Sequence, residues 1–438
     1  MGGIGFMMKP ARMKPPRERR LWPLRLRRRG RGAGRVAASL RRARQAVAAR
    51  TFYSILAAAI VVFCVSAWPF TRAHLQAVAL LRQVAGQPVP WLVGKLTSAP
   101  VATQDFSFMV EAASGQQQVR ARLYLPKTWL PKTRLPGTQP QPPSLIVLHG
   151  VHRLGIDEPR LMGFAAAMAS CGIRVLTPEL PDIKDYHVDS NAVRTIGESA
   201  KWFAAQTGGP VGVMGLSFSG GLALVAAADP LYHPYFKFVF AVGAQDSMDR
   251  VTQYYRTGRD VRPDGSVEVL PAHEYGPLVL EYEYLEDFVP ARDLGPVRAV
   301  LRAHLYEDKQ AEAEASLLLN ETQQLEALEL MDATTAATRA KIAAAIAKHT
   351  DELAGLSPRG RLGTLSTPVY LLHGEADNII PSAETLWMAS ELPSEDLKAM
   401  LVSPLLSHLD LDGGKPGLMD QWRLIHFFAL IMNAAESK

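Results

Sequence analysis

Val211-Gly212-Val213-Met214-Gly215-Leu216-Ser217-Phe218-Ser219-Gly220-Gly221, continuing into Leu222-Ala223-Leu224-Val225-Ala226-Ala227, is the stretch that decides the fold. An apolar run rich in β-branched residues reads as a strand; a glycine, a serine and three small residues read as a sharp turn; the Leu/Ala run reads as a helix. A turn this tight puts its central residue into strained backbone and lifts its side chain clear of the sheet. Ser217 is therefore a candidate nucleophile, provided that a base, an acid and an oxyanion site occur elsewhere.

Working outward, further short apolar runs occur at Ser144–His149, Ile173–Thr177, Phe238–Val242, Val369–His373 and Ala399–Ser403. Continuous apolar runs of this length suit strands buried on both faces of a parallel sheet. Helical patterns separate most of them: Leu161–Cys171, Ala192–Ala205, Gly221–Ala228 and Ala383–Leu392. This alternation predicts an α/β fold with a doubly wound, mostly parallel sheet. Phe106–Val110 and Val119–Leu125 alternate as an opening antiparallel pair, and the six prolines of Pro126–Pro143 mark a loop.

About 125 residues between Val242 and Val369 exceed any simple crossover. Helix-rich composition over Pro296–Tyr306, Lys309–Met331 and Thr335–Leu353 predicts a helical cap inserted over the carboxyl ends of the strands. Within it, Glu281-Tyr282-Glu283-Tyr284-Leu285-Glu286-Asp287 reads as a solvated helix face, with a substrate entry as the competing reading. Gly417–Ala434 is an apolar helix with Asp420, Arg423 and His426 inside it, expected to dock on the sheet.

The net charge of +6 hides an uneven distribution. Residues 1–50 hold 16 Lys or Arg against the single acid Glu18, leaving 32 basic and 41 acidic residues for the remainder. A mildly acidic body gives no electrostatic support for nucleic-acid binding. Phe52–Phe70 carries no charge over 19 residues, near the roughly 20 that a helix needs to cross a bilayer. With the basic tail before it, the expected topology is tail in the cytoplasm and body outside. A signal peptide cleaved near Val65-Ser66-Ala67 is the competing reading. Cys64 and Cys171 are too few for a disulfide framework or a cysteine-built zinc site. The expected organisation is a basic tail (1–51), a transmembrane helix or signal anchor (52–70), a linker (71–99), an α/β core (100–248), cap (249–364) and core again (365–438).

Ligands of open α/β sheets bind at the carboxyl ends of the strands. Four such ends carry chemistry: His149-Gly150-Val151-His152-Arg153, Gly215-Leu216-Ser217, His373-Gly374-Glu375-Ala376-Asp377-Asn378-Ile379-Ile380-Pro381, and Leu406-Ser407-His408. With its G-x-S-x-G-like elbow, H-G loop, H-G-x-x-D-x-x-x-P and terminal S-H, the chain resembles the α/β-hydrolases over roughly residues 100–435, and the order Ser217, Asp377, His408 is the one that family shows. The resemblance implies Ser217 as nucleophile, His408 as base, Asp377 as the acid that orients it, and the backbone N–H groups of Phe218 and Val151 as oxyanion donors.

The residues leave alternatives at each position. The family's elbow has glycine two positions after the nucleophile; here that residue is Ser219, which admits a shifted reading with Ser219 as nucleophile. Asp246 or Glu375 competes with Asp377; Asp410 and Asp412 are candidates only for orienting the loop of His408. His149 and His373 are expected to be structural, His426 belongs to the closing helix, and His152, Arg153 and Asp157 read as an exposed loop. No metal-ligand spacing and no dinucleotide motif occur, so no cofactor is expected. The resemblance implies a membrane-anchored serine hydrolase acting on a small or lipid-like ester, with a peptidase or thioesterase using the same residues, or a non-catalytic membrane-tethered binding protein, as alternatives.

Overall fold

The computed structural model describes residues 32–112, 115–127, 142–332, 335–406 and 417–437, with side chains from residue 51 onward. The chain divides into two units, Met1–Ser66 and Ala67–Lys438. The described part of the first unit is helical and belongs to α1 (Gly32–Val84). Within α1, Thr51–Val84 contains an 18-residue window of mean hydropathy 2.0, none of it buried, which is long and apolar enough to cross a membrane.

The second unit holds an eight-stranded sheet. After α2 (Trp91–Thr97) come β1 (Val101–Ala112) and β2 (Gly115–Pro126), an antiparallel hairpin in register from Val101 opposite Pro126 to Ala112 opposite Gly115. β3 (Ser144–Leu148), α3 (Pro159–Ser170), β4 (Arg174–Pro178), α4 (Pro181–Lys184), α5 (Ser190–Thr207), β5 (Val211–Leu216), α6 (Phe218–Ala228) and β6 (Phe236–Val242) follow. An insertion contains α7 (Met248–Thr257), a small hairpin of β7 (Arg259–Val261) and β8 (Val267–Val269), α8 (Tyr275–Glu283), α9 (Leu294–Leu305), α10 (Lys309–Ser316), α11 (Glu321–Met331), α12 (Ala336–Lys348) and α13 (Thr350–Gly355). β9 (Val369–Gly374), α14 (Ala383–Glu391), β10 (Leu397–Ser403) and α15 (Leu418–Glu436) close the chain.

Across the sheet the order is β1-β2-β4-β3-β5-β6-β9-β10, with β2 antiparallel to β1 and β4 and every later neighbour parallel. From β3 the chain moves outward to β4, then returns past β3 to β5. The direction of winding therefore reverses between β3 and β5, and the crevice beyond their carboxyl ends is where a parallel sheet binds ligands. The first two strands take the antiparallel role that the alternation of Phe106–Val110 and Val119–Leu125 predicts.

Side chains alternate between two cores because successive residues of a strand face opposite sides. Ile146, Leu148, Val213, Val239, Ala241 and Leu371 pack toward α5, α6 and the insertion. Leu145, Val147, Met214, Phe240 and Leu372 pack toward α3, α15 and the last turns of α1. α15 docks on the sheet as its composition predicts, with Phe427 and Phe428 5.6 and 5.8 Å from the Phe240 ring.

Residues 71–99, expected to join the span to the core through a helix over Ala73–Ala85 and a Pro-containing linker, hold the end of α1 and all of α2. Ala73, Ala77 and Leu80 of α1 are buried in the second core, and Gln76 Nε2 donates to the Cys171 carbonyl at 2.7 Å. Ala73, Ala77 and Leu80 share that core with Leu161, Ala165 and Met168 of α3. The predicted helix Lys309–Met331 is broken at Leu317–Asn320, because Asn320 adopts an extended conformation and closes a capping box with Gln323 that starts α11 afresh. The acidic aromatic stretch is not a solvated face: Glu281, Tyr282 and Tyr284 are 0, 2 and 4% exposed. Glu281, on α8 near Glu329 of α11 and Lys341 of α12, has neither carboxylate oxygen hydrogen-bonded among the described residues, and burial pushes its pKa well above the usual range.

Candidate active site

Ser217 follows β5 directly, with φ 55° and ψ −135°. A non-glycine residue in this region stores roughly 1–3 kcal/mol of strain. The surroundings hold it there: its N–H donates to the Val242 carbonyl of β6 at 2.8 Å, and its carbonyl accepts from Gly220 N–H at 2.9 Å in the first turn of α6. Gly215 is required by close approach. A Cβ at this position would lie 2.4 Å from the Ser219 carbonyl oxygen and 2.6 Å from Gly220 N, so strand and helix meet only with no side chain there.

Ser219 is fully buried, and its Oγ donates to the His149 carbonyl at 2.6 Å. The position at which the elbow pattern has glycine thus carries a hydroxyl that ties α6 to the loop after β3. That loop is further pinned by His149, which is 2% exposed. Leu180 N–H donates to His149 Nε2 at 2.9 Å, so the proton sits on Nδ1, which donates to the Gly150 carbonyl at 2.8 Å. Burial pushes the pKa of His149 down to about 4, so the ring is neutral and structural at physiological pH. Val151 follows in a bend, and its carbonyl accepts from Tyr275 Oη of α8 at 2.8 Å. Farther along, Asp157 bridges Arg120 at 2.6 Å and Arg122 at 3.0 Å, joining the loop to β2. His152 is half-buried with its pKa lowered by burial, and its Nδ1 accepts from Leu154 N–H at 3.2 Å. Arg153 lies 6.0 Å from the Tyr306 ring.

Asp377 lies in the turn after β9 and is fully buried. Oδ1 accepts from Ile379 N–H at 2.9 Å and Ile380 N–H at 3.0 Å, and Oδ2 is 3.5 Å from His373 Nε2. His373 is equally buried, donating from Nε2 to the Ile380 carbonyl at 2.8 Å and accepting at Nδ1 from Thr385 at 2.7 Å. It shapes the turn that presents Asp377. Of the competing acids, Glu375 is exposed. Asp246 is buried in a network in which Arg250 joins it at 2.5 Å to Glu384 at 2.9 Å; burial raises its pKa to about 6. Only β6 separates β5 from β9, so the loops bearing Ser217 and Asp377 leave strands about 10 Å apart. β10 ends at Ser403 in register with Gly374, which delivers the following chain to the same end of the sheet. His408, Asp410 and Asp412 lie outside the described residues.

Beside the elbow is a small apolar cavity, lined by Phe218, Val188, Met248, Val279, Leu280 and Leu353 among others. Tyr255 also lines it, and its buried hydroxyl has no hydrogen-bond partner among the described residues. At the edge, Glu283 accepts from Val188 N–H at 3.2 Å and lies 2.7 Å from His187 Nδ1; this carboxylate raises the pKa of His187. Tyr255 lines a second, open groove as well, bounded by His273, Glu274, Pro277, Arg339 and Asn378. Sequence reasoning missed Tyr275 and the His187–Glu283 pair, since nothing local distinguishes them. For Ser219 the signal was present as the departure from glycine.

The strand order, the antiparallel second strand and the strained serine at the winding reversal define the α/β-hydrolase fold. Comparisons with solved structures list members of that fold. An acylaminoacyl peptidase in complex with Z-Gly-Gly-Phe-chloromethyl ketone is 12% identical, with a TM-score of 0.41, over 77% of this chain and 42% of that one. Brefeldin A esterase, a bacterial homologue of human hormone sensitive lipase, is 14% identical, with a TM-score of 0.40, over 82% of each chain. Puromycin hydrolase is 11% identical, with a TM-score of 0.44, over 76% of this chain and 39% of that one. The chain spans about two fifths of the length of the acylaminoacyl peptidases it matches. No family model and no curated protein matches the sequence.

Proposed function

We propose that this chain is a membrane-anchored serine hydrolase that cleaves a carboxylic ester or related acyl bond. The observation that carries the reading is the strained backbone of Ser217 at the point where the winding of the sheet reverses. Ser217 Oγ attacks the acyl carbon as His408 takes its proton, and Asp377 orients the imidazole and stabilises its charge. The N–H groups of Phe218, at the start of α6, and Val151 hold the oxyanion, each donor contributing about 3 kcal/mol. Collapse expels the leaving group with the proton from His408; water activated by the same imidazole then releases the acid and restores Ser217. Phe218, Val188, Met248 and Val279 line an apolar wall beside Ser217 that supports packing of an acyl group there, and Glu283 at its edge is already engaged by His187. Phe52–Phe70 anchors the protein, with the basic tail in the cytoplasm and the body outside.

Labelling with a fluorophosphonate tests the chemistry. Wild type is expected to label and Ser217→Ala to lose all labelling, with hydrolysis of p-nitrophenyl esters lost in parallel. Retained labelling of Ser217→Ala would remove the assignment, and an unlabelled wild type would favour a binding protein of this fold.

A further inference from the structure

α15 crosses α1 and does not run beside it. His74 Nε2 lies 3.0 Å from His426 Nδ1, and Arg72 Nη2 lies 3.0 Å from Glu436 Oε1. The two partners on α1 are separated by about 3 Å of helix rise, those on α15 by about 15 Å. The crossing also sits at a defined level. His74 is one turn beyond Phe70, where the uncharged run ends, and its ring is 4.0 Å from that of Phe70. Trp422 stacks on His74 at 5.3 Å with 17° between the planes.

The first two turns of α15 leave apolar side chains in the open. Leu418, Met419 and Trp422 are 86, 61 and 50% exposed, whereas Leu424, Phe427 and Phe428 on the other face are buried. Trp68 and Phe70 of α1 are exposed at the same end of the body. One helical turn is about 5–6 Å, while the headgroup layer on each side of a bilayer's hydrocarbon is roughly 5–8 Å thick. A tryptophan stacked one turn past the end of a membrane span therefore falls within that layer, where tryptophan rings are favoured.

We infer that the N-terminal half of α15, through Leu418, Met419 and Trp422, lies in the headgroup layer of the bilayer crossed by Phe52–Phe70 and holds the body against the membrane surface. This rests on the anchor reading above. A helix lying in the interface buries its apolar face a short way into the lipid and keeps its polar residues, here Gln421 and Arg423, toward water and headgroups.

The test uses the full chain in phosphatidylcholine–phosphatidylglycerol vesicles, in a Cys64→Ser, Cys171→Ala background. Met419→Cys is labelled with an environment-sensitive fluorophore, and Leu96→Cys serves as the control. Leu96 is tied to the far end of α1: Ala99 N–H donates to the Ser170 carbonyl at 2.8 Å, and Ser170 Oγ meets Gln83 at 3.2 Å. Gln83 is about 20 Å along the helix from Phe70. Lipids carrying a nitroxide near the headgroup are expected to quench the label at Met419 about threefold more than the label at Leu96. Equal quenching at the two sites in a chain that survives alkaline carbonate extraction would overturn the docking and leave the anchor standing. Release of the chain by carbonate would overturn both.

Discussion

Ser219→Ala isolates the residue that departs from the elbow pattern. The substitution removes a buried donor that lies 2.6 Å from the His149 carbonyl and leaves the rest of α6 unchanged. Stripping one partner from a buried hydrogen bond costs about 1–3 kcal/mol. For a unit of this size that corresponds to a fall in melting temperature of roughly 1–4 °C. The freed carbonyl lies two residues before Val151, so the slackened loop is expected to lower kcat up to about tenfold while fluorophosphonate labelling of Ser217 persists. Ser219→Gly should be less stable still, because glycine adds up to about 1 kcal/mol of backbone freedom at a helical position. Circular dichroism during thermal unfolding in detergent, p-nitrophenyl ester kinetics and probe labelling measure the three effects. An unchanged melting temperature would refute the energetic argument. Labelling that disappears in Ser219→Ala but survives in Ser217→Ala would make Ser219 the nucleophile.

Two further predictions concern positioning and pH. Tyr275→Phe removes the donor to the Val151 carbonyl; since a neutral hydrogen bond is worth about 0.5–1.5 kcal/mol, kcat is expected to fall about 2- to 12-fold with KM nearly constant, and an unchanged kcat would dismiss Tyr275 as a positioning residue. Asp189 caps α5, accepting from Asn191 and Ala192 N–H, yet burial first and then the Asp182 charge raise its pKa to about 6. Because the folded state holds this proton more tightly than the unfolded chain, the stability contributed by Asp189 is present below about pH 4 and is lost as pH rises through about 6. Asp189→Asn should therefore flatten this part of the pH–stability curve, which urea titrations at several pH values would show; a slope identical to wild type would contradict the assignment.

Much of this protein was legible from local pattern. Strand and helix follow from hydrophobic periodicity and from where glycine interrupts it, which is why β5 matches its expected bounds and the neighbouring strands differ by one or two residues. The order of chemistry-bearing residues at strand ends is likewise linear information. Strand neighbours are not: that β3 lies between β4 and β5 is a long-range pairing, and it alone puts the His149–Val151 loop beside Ser217. Burial also needed the folded chain. Glu281 and Tyr284 look solvated in sequence because their charge and polarity are local properties, whereas their solvent exposure depends on α11 and α12 packing near Glu281 and on His349 stacking over Tyr284. Asp246 and Glu375 resemble Asp377 as acids near strand ends, and the fold separates them by pairing the first with Arg250 and exposing the second. Sequence alone determined the class of sheet, the tight turn at Ser217 and an apolar run of membrane-spanning length. Only the tertiary structure decided that Ser219 donates to His149, that Tyr275 reaches Val151 and that α1 continues into the core, because each joins residues far apart in the chain.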